Sequence, residues 1–345
     1  MNYITTKQNY KTVFKICLCI FVLSISFLSC AYSKDKEFNF KINAEGVIAW
    51  GRGGGTDFLA RTLISHVNAN NADINIVPVN RTGFAGAYAL QYAYNKKADG
   101  ATILFSADNP PLYKFLGYGD KNYDDFECIL LAGLEIVGIV VPYESPYKNF
   151  SDIVQAVKEG QEVIEASTNV GGMIWNMTNI LNNFTHVHFT QEWYTDDKSA
   201  MEAVFAGKAD FTFAKLQLVR EAIRNGRVRY LSLISDRQIP YWEKTPLIID
   251  EYPGMKDYLP FGSYYGVFVK KGTPPEILER LKKAFLDAYN SRAFQKYLRN
   301  NQMSALGLQG NEANKYLSDW SKRTLSALSK ADLNMNFRFN SLEDL

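Results

Sequence analysis

The stretch Gly51-Arg52-Gly53-Gly54-Gly55-Thr56-Asp57 constrains the fold of this chain more than any other. The apolar run Val47-Ile48-Ala49-Trp50 before it reads as the end of a buried strand. After it, Phe58 to Ile64 reads as a helix, with apolar residues at 59, 63 and 67. Three consecutive glycines between strand and helix let the backbone approach another group closely. A helix start presents N–H groups without intrahelical acceptors and the positive end of a dipole, so it favours an anion. Thr56 or Asp57 can cap this helix. On this stretch alone, an anion cradle and a tight turn without a ligand stay equally open.

The device recurs. Glu162 to Ala166 reads as a strand, and Ser167-Thr168-Asn169-Val170-Gly171-Gly172 follows it. Met173, Met177, Ile180, Leu181 and Phe184 then fall at helical spacing. Between the two copies, strands and helices alternate. Asp73 to Val79 is a strand feeding the loop Asn80-Arg81-Thr82-Gly83-Phe84-Ala85-Gly86. Ala85 to Tyr94 is helical, and Thr102 to Ser106 is a strand that ends in Ala107-Asp108-Asn109-Pro110-Pro111. Such alternation implies an α/β architecture with parallel strands. Ligands sit at loops on the carboxyl ends of such strands, which makes Gly83, Phe84 and Asn109 candidates beside the two glycine loops.

Ile129 to Val141 reads as one long strand leading out of a first lobe, and Tyr264 to Val269 as a strand leading back into it. The expected layout is residues 38–137 and 264–345 in lobe 1 and residues 138–263 in lobe 2. Two crossings imply a hinge, and hinged lobes bind ligands by closing on them. The 345 residues suffice for two such bodies.

Residues 1–31 read as a signal peptide. Lys7, Lys11 and Lys15 precede an apolar core from Ile16 to Leu28. That core has 13 residues, short of the ~20 that span a bilayer. Ser29 and Ala31 fit cleavage after Ala31, while Leu28-Ser29-Cys30 resembles a lipoprotein box that would lipidate Cys30. Both routes give an extracytoplasmic protein. Cys17 and Cys19 leave with the leader, so Cys128 stands alone in an apolar run and reads as a core residue. The formal charge of +2 falls to −1 once the first 29 residues are removed, and no basic run suggests nucleic acid.

The chemistry of an enzyme is not legible. No Lys-Ser/Thr follows the glycines, as a phosphate-binding loop requires, and Thr56 stands where a dinucleotide fingerprint needs its third glycine. No Gly-x-Ser-x-Gly elbow occurs. His186 and His188, read as strand neighbours on one side, lack a third metal ligand, so neither a metal nor a cofactor is expected.

The chain resembles the substrate-binding proteins of tripartite tricarboxylate transporters, the Bug-type extracytoplasmic solute receptors. The first loop, Gly53-Gly54-Gly55-Thr56-Asp57-x-x-Ala60-Arg61, is similar to theirs. So are Asn80-Arg81-x-Gly83-x-x-Gly86, Asp99-Gly100-x-Thr102-Ile103-Leu104, Gly207-Lys208-Ala209-Asp210, Gly226-Arg227-Val228-Arg229-x-Leu231, Arg237, Thr245-Pro246 and Gly272-Thr273-Pro274. The resemblance implies a two-lobe periplasmic-binding-protein (Venus flytrap) fold with a ligand cleft. It implies a monomeric, non-catalytic receptor that delivers a small carboxylated solute to membrane permease subunits. Backbone N–H groups and hydroxyls of Gly53 to Asp57 and of Ser167 to Gly172 would hold the carboxylate.

The departures bear on the ligand. Gly171-Gly172-Met173-Ile174-Trp175 lacks the Ser and His of the family's second loop, and Glu192-Trp193-Tyr194-Thr195 replaces its Pro-Tyr-Lys-Gly. Trp175, Trp193 and Tyr194 suggest a larger or more aromatic ligand, with core packing the alternative for Trp175. Arg52 can pair with a carboxylate or stand in solvent. A degenerate member serving as an envelope sensor or scaffold for a protein partner is the other reading.

Overall fold

The computed structural model describes residues 40–168, 170–239 and 242–329. Its first half alternates β1 (Ile42–Ile48), α1 (Gly55–Asn70), β2 (Ile74–Asn80), α2 (Ala87–Tyr94) and β3 (Thr102–Ser106), followed by β4 (Phe126–Leu134). Then come β5 (Val137–Pro142), α3 (Phe150–Lys158), β6 (Ile164–Ser167), α4 (Met173–Thr185), β7 (Thr190–Trp193), α5 (Asp197–Phe205), β8 (Thr212–Lys215), α6 (Leu216–Arg224) and β9 (Val228–Leu233). The chain closes with β10 (Tyr264–Lys270), α7 (Pro275–Asn290), α8 (Arg292–Asn300), β11 (Ser304–Leu308) and α9 (Gly310–Leu328).

The larger sheet has the order β11-β4-β10-β3-β1-β2. β1 runs parallel to β2, with Ile42 opposite Ile74, and parallel to β3. β10 is antiparallel to both β3 and β4. The α1 face carrying Leu59, Leu63 and Val67 is buried against this sheet, as its spacing requires. In the smaller lobe β5 pairs antiparallel with β8 and β9, and β6 pairs parallel with β7. A bridge between Glu165 and Phe211 joins these two ribbons. The mixed α/β layers are therefore divided between two lobes.

The apolar run from Ile129 is divided rather than continuous. β4 ends at Leu134 and β5 starts at Val137, so Glu135 and Ile136 carry the chain from one sheet to the other. The hydrogen bonds switch there: Glu135 N donates to Ser263 O at 2.9 Å, whereas Ile136 O accepts from Leu216 N in the smaller lobe at 3.2 Å. The returning chain passes so close that a Cβ on Gly262 would collide with the Glu135 carbonyl. Gly262 also has φ +146°, open mainly to glycine.

Two other details depart from the sequence reading. α4 runs on to Thr185, and His186 ends it in the left-handed region at φ 57°. The strand therefore starts only at Thr190, and His186 and His188 do not share a strand face. The edge strand β11 has no clear alternation in the sequence, and its pairing with β4 is irregular.

The C-terminal helix α9 ties the lobes together. It packs on β4 of the larger sheet and on α4 of the smaller lobe. Its Trp320 stacks on Phe261 with ring centroids 6.1 Å apart and meets Tyr264 edge-on at 5.3 Å.

Candidate functional site

In the larger lobe, β1 delivers the first glycine loop to the carboxyl rim of the sheet. Gly53 takes φ +82°, and the helix begins at Gly55 with Gly54 as an extended N-cap that has no side-chain hydrogen bond. Neither Thr56 nor Asp57 is the cap. The buried Asp57 instead reaches back and accepts from Gly53 N at 3.1 Å, from Arg61 Nε at 2.8 Å and from Asn80 Nδ2 at 2.8 Å. Asn80 Nδ2 also donates to Trp50 O at 2.7 Å. Burial alone would raise the Asp57 carboxyl, but the bonds from Asn80, Gly53 and Arg61 outweigh it and hold the group below its ordinary range. Asp57 is thus the brace that shapes the loop. The Gly55, Thr56 and Asp57 N–H groups, at the first three helical positions, have no intrahelical acceptor. Arg52 is exposed and makes no ion pair among the described residues.

The neighbouring loop holds four successive positive φ values, at Gly83, Phe84, Ala85 and Gly86. Such conformations are uncommon for residues with a Cβ, and surrounding contacts must hold them. Tyr113 OH donates to Ala85 O at 2.9 Å, and Phe84 meets Tyr118 edge-on with centroids 6.0 Å apart.

In the smaller lobe, β6 delivers the second loop. α4 opens at Met173 behind Gly172, again an extended N-cap without a side-chain bond. In the same lobe α3 and α5 are capped by Asn149 and Asp196 side chains, whereas α6, behind Lys215, has no side-chain cap either. Ser167 and Thr168 are buried. Gln191 on β7 donates to Ser167 Oγ and to Glu165 Oε2, both at 3.3 Å, and Thr178 Oγ1 donates to Glu165 Oε1 at 2.6 Å. Burial pushes Glu165 up to about 7 despite these donors. Trp193 stands opposite Ser167 in the β6–β7 ladder and is half exposed. Tyr194 N donates to Ser167 O at 2.9 Å, and Tyr194 OH donates to Glu192 at 2.8 Å. Trp175 is buried core.

The larger lobe touches this second loop directly. Asn109 Nδ2 donates to Gly171 O at 2.5 Å, and Tyr118 OH reaches Val170 O at 3.4 Å. A Cβ on Gly171, at φ +78°, would collide with Leu116. The structure therefore brings Asn109 against Gly171, sets Phe84 against the Tyr118 that reaches Val170, and groups Trp193 and Tyr194 with Ser167. Asn169 lies outside the described residues, as does Cys30.

Beside the first loop lies a buried charge cluster that the sequence reading did not nominate. Glu135 Oε2 is 2.7 Å from Lys215 Nζ, and Gln217 Nε2 donates to Glu135 Oε1 at 2.9 Å. Lys215 Nζ is also 3.8 Å from Asp197 Oδ2. A Cβ on Gly55 would clash with Tyr265 OH and stand 3.0 Å from Glu135 Oε1, so this cluster abuts the first helical residue of α1. Burial would lower the Lys215 ammonium, but Glu135, Tyr265 and Asp197 beside it outweigh burial and hold it well above its ordinary value. Asp108 is buried on the same rim, and burial pushes it up to about 7 against bonds from its own backbone and Ser263. One signal was available: Glu135 is the only charged residue between Ile129 and Val141. Among the described residues no group of three or more His, Cys, Asp or Glu could hold a metal ion.

Two α/β lobes joined by two crossings, with glycine loops on their strand ends, define a solute-binding protein fold. The chain belongs to the tripartite tricarboxylate transporter receptor family, whose model matches residues 60–333. It is 27% identical over 241 residues to the "UPF0065 protein in tcbD-tcbE intergenic region" of Pseudomonas sp. (strain P51), covering 68% of this chain and 70% of that protein. Its fold is similar to that of a TctC solute binding protein from Polaromonas, with TM-score 0.70, 20% identity and coverage of 84% and 98%. It is equally similar to an R. palustris protein solved with adipate, with TM-score 0.70, 19% identity and coverage of 84% and 98%. The chain is accordingly a receptor of the solute-binding class.

Gly55→Ala forces a methyl group against Tyr265 and Glu135. It is expected to lower stability by about 1–3 kcal/mol in denaturant unfolding, with part recovered when Tyr265→Phe is added. Glu165 titrates at about 7 in the folded protein and near ~4.3 unfolded. Its neutral form therefore contributes stability that is full below the unfolded value and lost as pH rises through the folded one. Glu165→Gln should flatten the pH–stability profile between about pH 4 and pH 7; a profile as steep as wild type would contradict the assignment.

Proposed function

We propose that this chain is an extracytoplasmic receptor that captures a small carboxylate-bearing solute between its lobes and delivers it to the permease subunits of a tripartite transporter. The observation that carries the reading is the pair of helix starts behind Gly54 and Gly172. Each follows a strand of a different lobe, and neither has a side-chain cap. Uncapped starts leave main-chain N–H groups and positive dipole ends for an oxyanion. The adipate in the R. palustris relative is such a ligand. Arg52, Thr56, Ser167, Thr168, Trp193 and Tyr194 would line the pocket around these donors, with Asn109 and Phe84 at its closing edge. Asp57 acts here through the loop it braces.

In this reading residues 38–137 with 264–345 move as one body and residues 138–263 as the other, in a protein that works as a monomer. The leader at residues 1–31 exports it, and it remains free or anchored through Cys30. Among the described residues no helix is long and apolar enough to cross a membrane.

A ligand that binds only the folded state stabilises it by about 2.7 kcal/mol at a hundredfold excess over Kd. At least one member of a panel of mono-, di- and tricarboxylates, amino acids and aromatic acids should therefore raise the melting temperature by several degrees. No shift from any class would contradict the reading.

A further inference from the structure

We propose that Trp193 sets the class of solute: the ligand is an aryl carboxylate whose carboxylate meets the start of α4 and whose ring lies flat on the exposed face of the Trp193 indole. The inference rests on the receptor reading and narrows its substrate class.

A half-exposed aromatic side chain means nothing by itself. What matters at Trp193 is the face of the strand it occupies. In the parallel β6–β7 pair, Glu165 stands opposite Gln191 and Ser167 opposite Trp193. Gln191 Nε2 donates to both Glu165 Oε2 and Ser167 Oγ, so these three side chains share one face. Alternation puts Trp193, two residues after Gln191, on that face too.

That face is the one α4 covers, since Thr178 in α4 donates to Glu165 Oε1 at 2.6 Å. The opposite face carries Ile164 and Ala166, which pack with Tyr194 on the core around Ala200 and Met201 of α5. Ser167 and Trp193 are the last residues of their strands, and the loop that leaves Ser167 leads directly into α4. The indole therefore stands at the end of the ribbon where α4 begins. It is 50% exposed, and among the described residues no other ring stacks on it. A flat apolar face is thus open beside an uncapped helix start.

A second exposed ring stands at the same loop from the larger lobe. Phe84 meets Tyr118 edge-on with centroids 6.0 Å apart, and the Tyr118 hydroxyl reaches Val170 O at 3.4 Å. The Phe84 backbone is held at φ +48°, a conformation that surrounding contacts must maintain in a residue with a Cβ. Any apolar body gains from covering an open indole. A planar aromatic ring gains roughly two- to tenfold more in affinity than its buried area alone supplies. A saturated ring of equal carbon count covers a similar area without a π face, so the two can be told apart.

The test is calorimetry with acids matched in carbon count and carboxylates: benzoate and cyclohexanecarboxylate, phenylacetate and cyclohexylacetate, 3-phenylpropionate and 3-cyclohexylpropionate, isophthalate and cyclohexane-1,3-dicarboxylate. Wild-type protein should bind the aryl member about threefold or more tighter at the preferred spacing. Trp193→Leu keeps apolar bulk without a ring, and should bring the ratio to about one through loss of aryl affinity. Trp193→Phe keeps a ring and should keep most of the preference. A purely structural role would move both members of a pair together and leave the ratio unchanged. Should Trp193→Leu fail to fold, Trp193→Met should change the ratio in the same way. Equal or tighter binding of the saturated member by wild type, or an unchanged ratio in the ringless variant, overturns the inference and leaves the receptor reading standing. Binding confined to carboxylates without a ring does the same. Binding of none of these acids, with no thermal shift from the wider carboxylate panel, rejects both.

Discussion

The Glu135 carboxylate is the interaction that joins the two sheets where the chain crosses between them. It sits on the two-residue crossing between the sheets, and its partners come from both sides. Lys215 and Gln217 belong to the β8–α6 junction of the smaller lobe, while Tyr265 and Gly55 belong to the larger. A buried carboxylate is tolerated only when it is paired and hydrogen-bonded. Any motion that separates the lobes at this point must keep those partners or replace them. The close passage of Gly262 beside the Glu135 carbonyl gives the second crossing the same constraint. One ion pair therefore links the crossing, the first glycine loop and, through Asp197, the segment that follows Trp193.

The two glycine loops are alike in design but not in surroundings. Each ends a strand, opens a helix without a side-chain cap, and contains a glycine at positive φ. The first is braced from within its own lobe by Asp57, Asn80 and Arg61. The second is held across the lobes by Asn109 and Tyr118 and pressed against Leu116.

Much of this was legible in the sequence, because strand, glycine loop and helix periodicity are local. The alternation of β1, α1, β2, α2 and β3 is written in residues 42–106, and the glycines of both loops stand out from composition alone. What could not be read was tertiary. Glu135 in an apolar run looks like a blemish until Lys215 and Gln217, some 80 positions away, are brought beside it. Asn109 reads as a loop residue until Gly171 is placed against it. His186 and His188 read as neighbours on one side of a strand, a placement that depends on where the preceding helix stops. The helix before them ends at Thr185 with His186 in the left-handed region, and the strand starts only at Thr190.

The central claim is that a solute lies between the helix starts of α1 and α4. Amide chemical shifts read that claim directly. With a carboxylate that stabilises the protein, the largest amide perturbations should fall on Gly53 to Asp57 and on Gly171 to Trp175 together, in a single saturable transition. Perturbations confined to one loop, or centred on surfaces away from both, would contradict it.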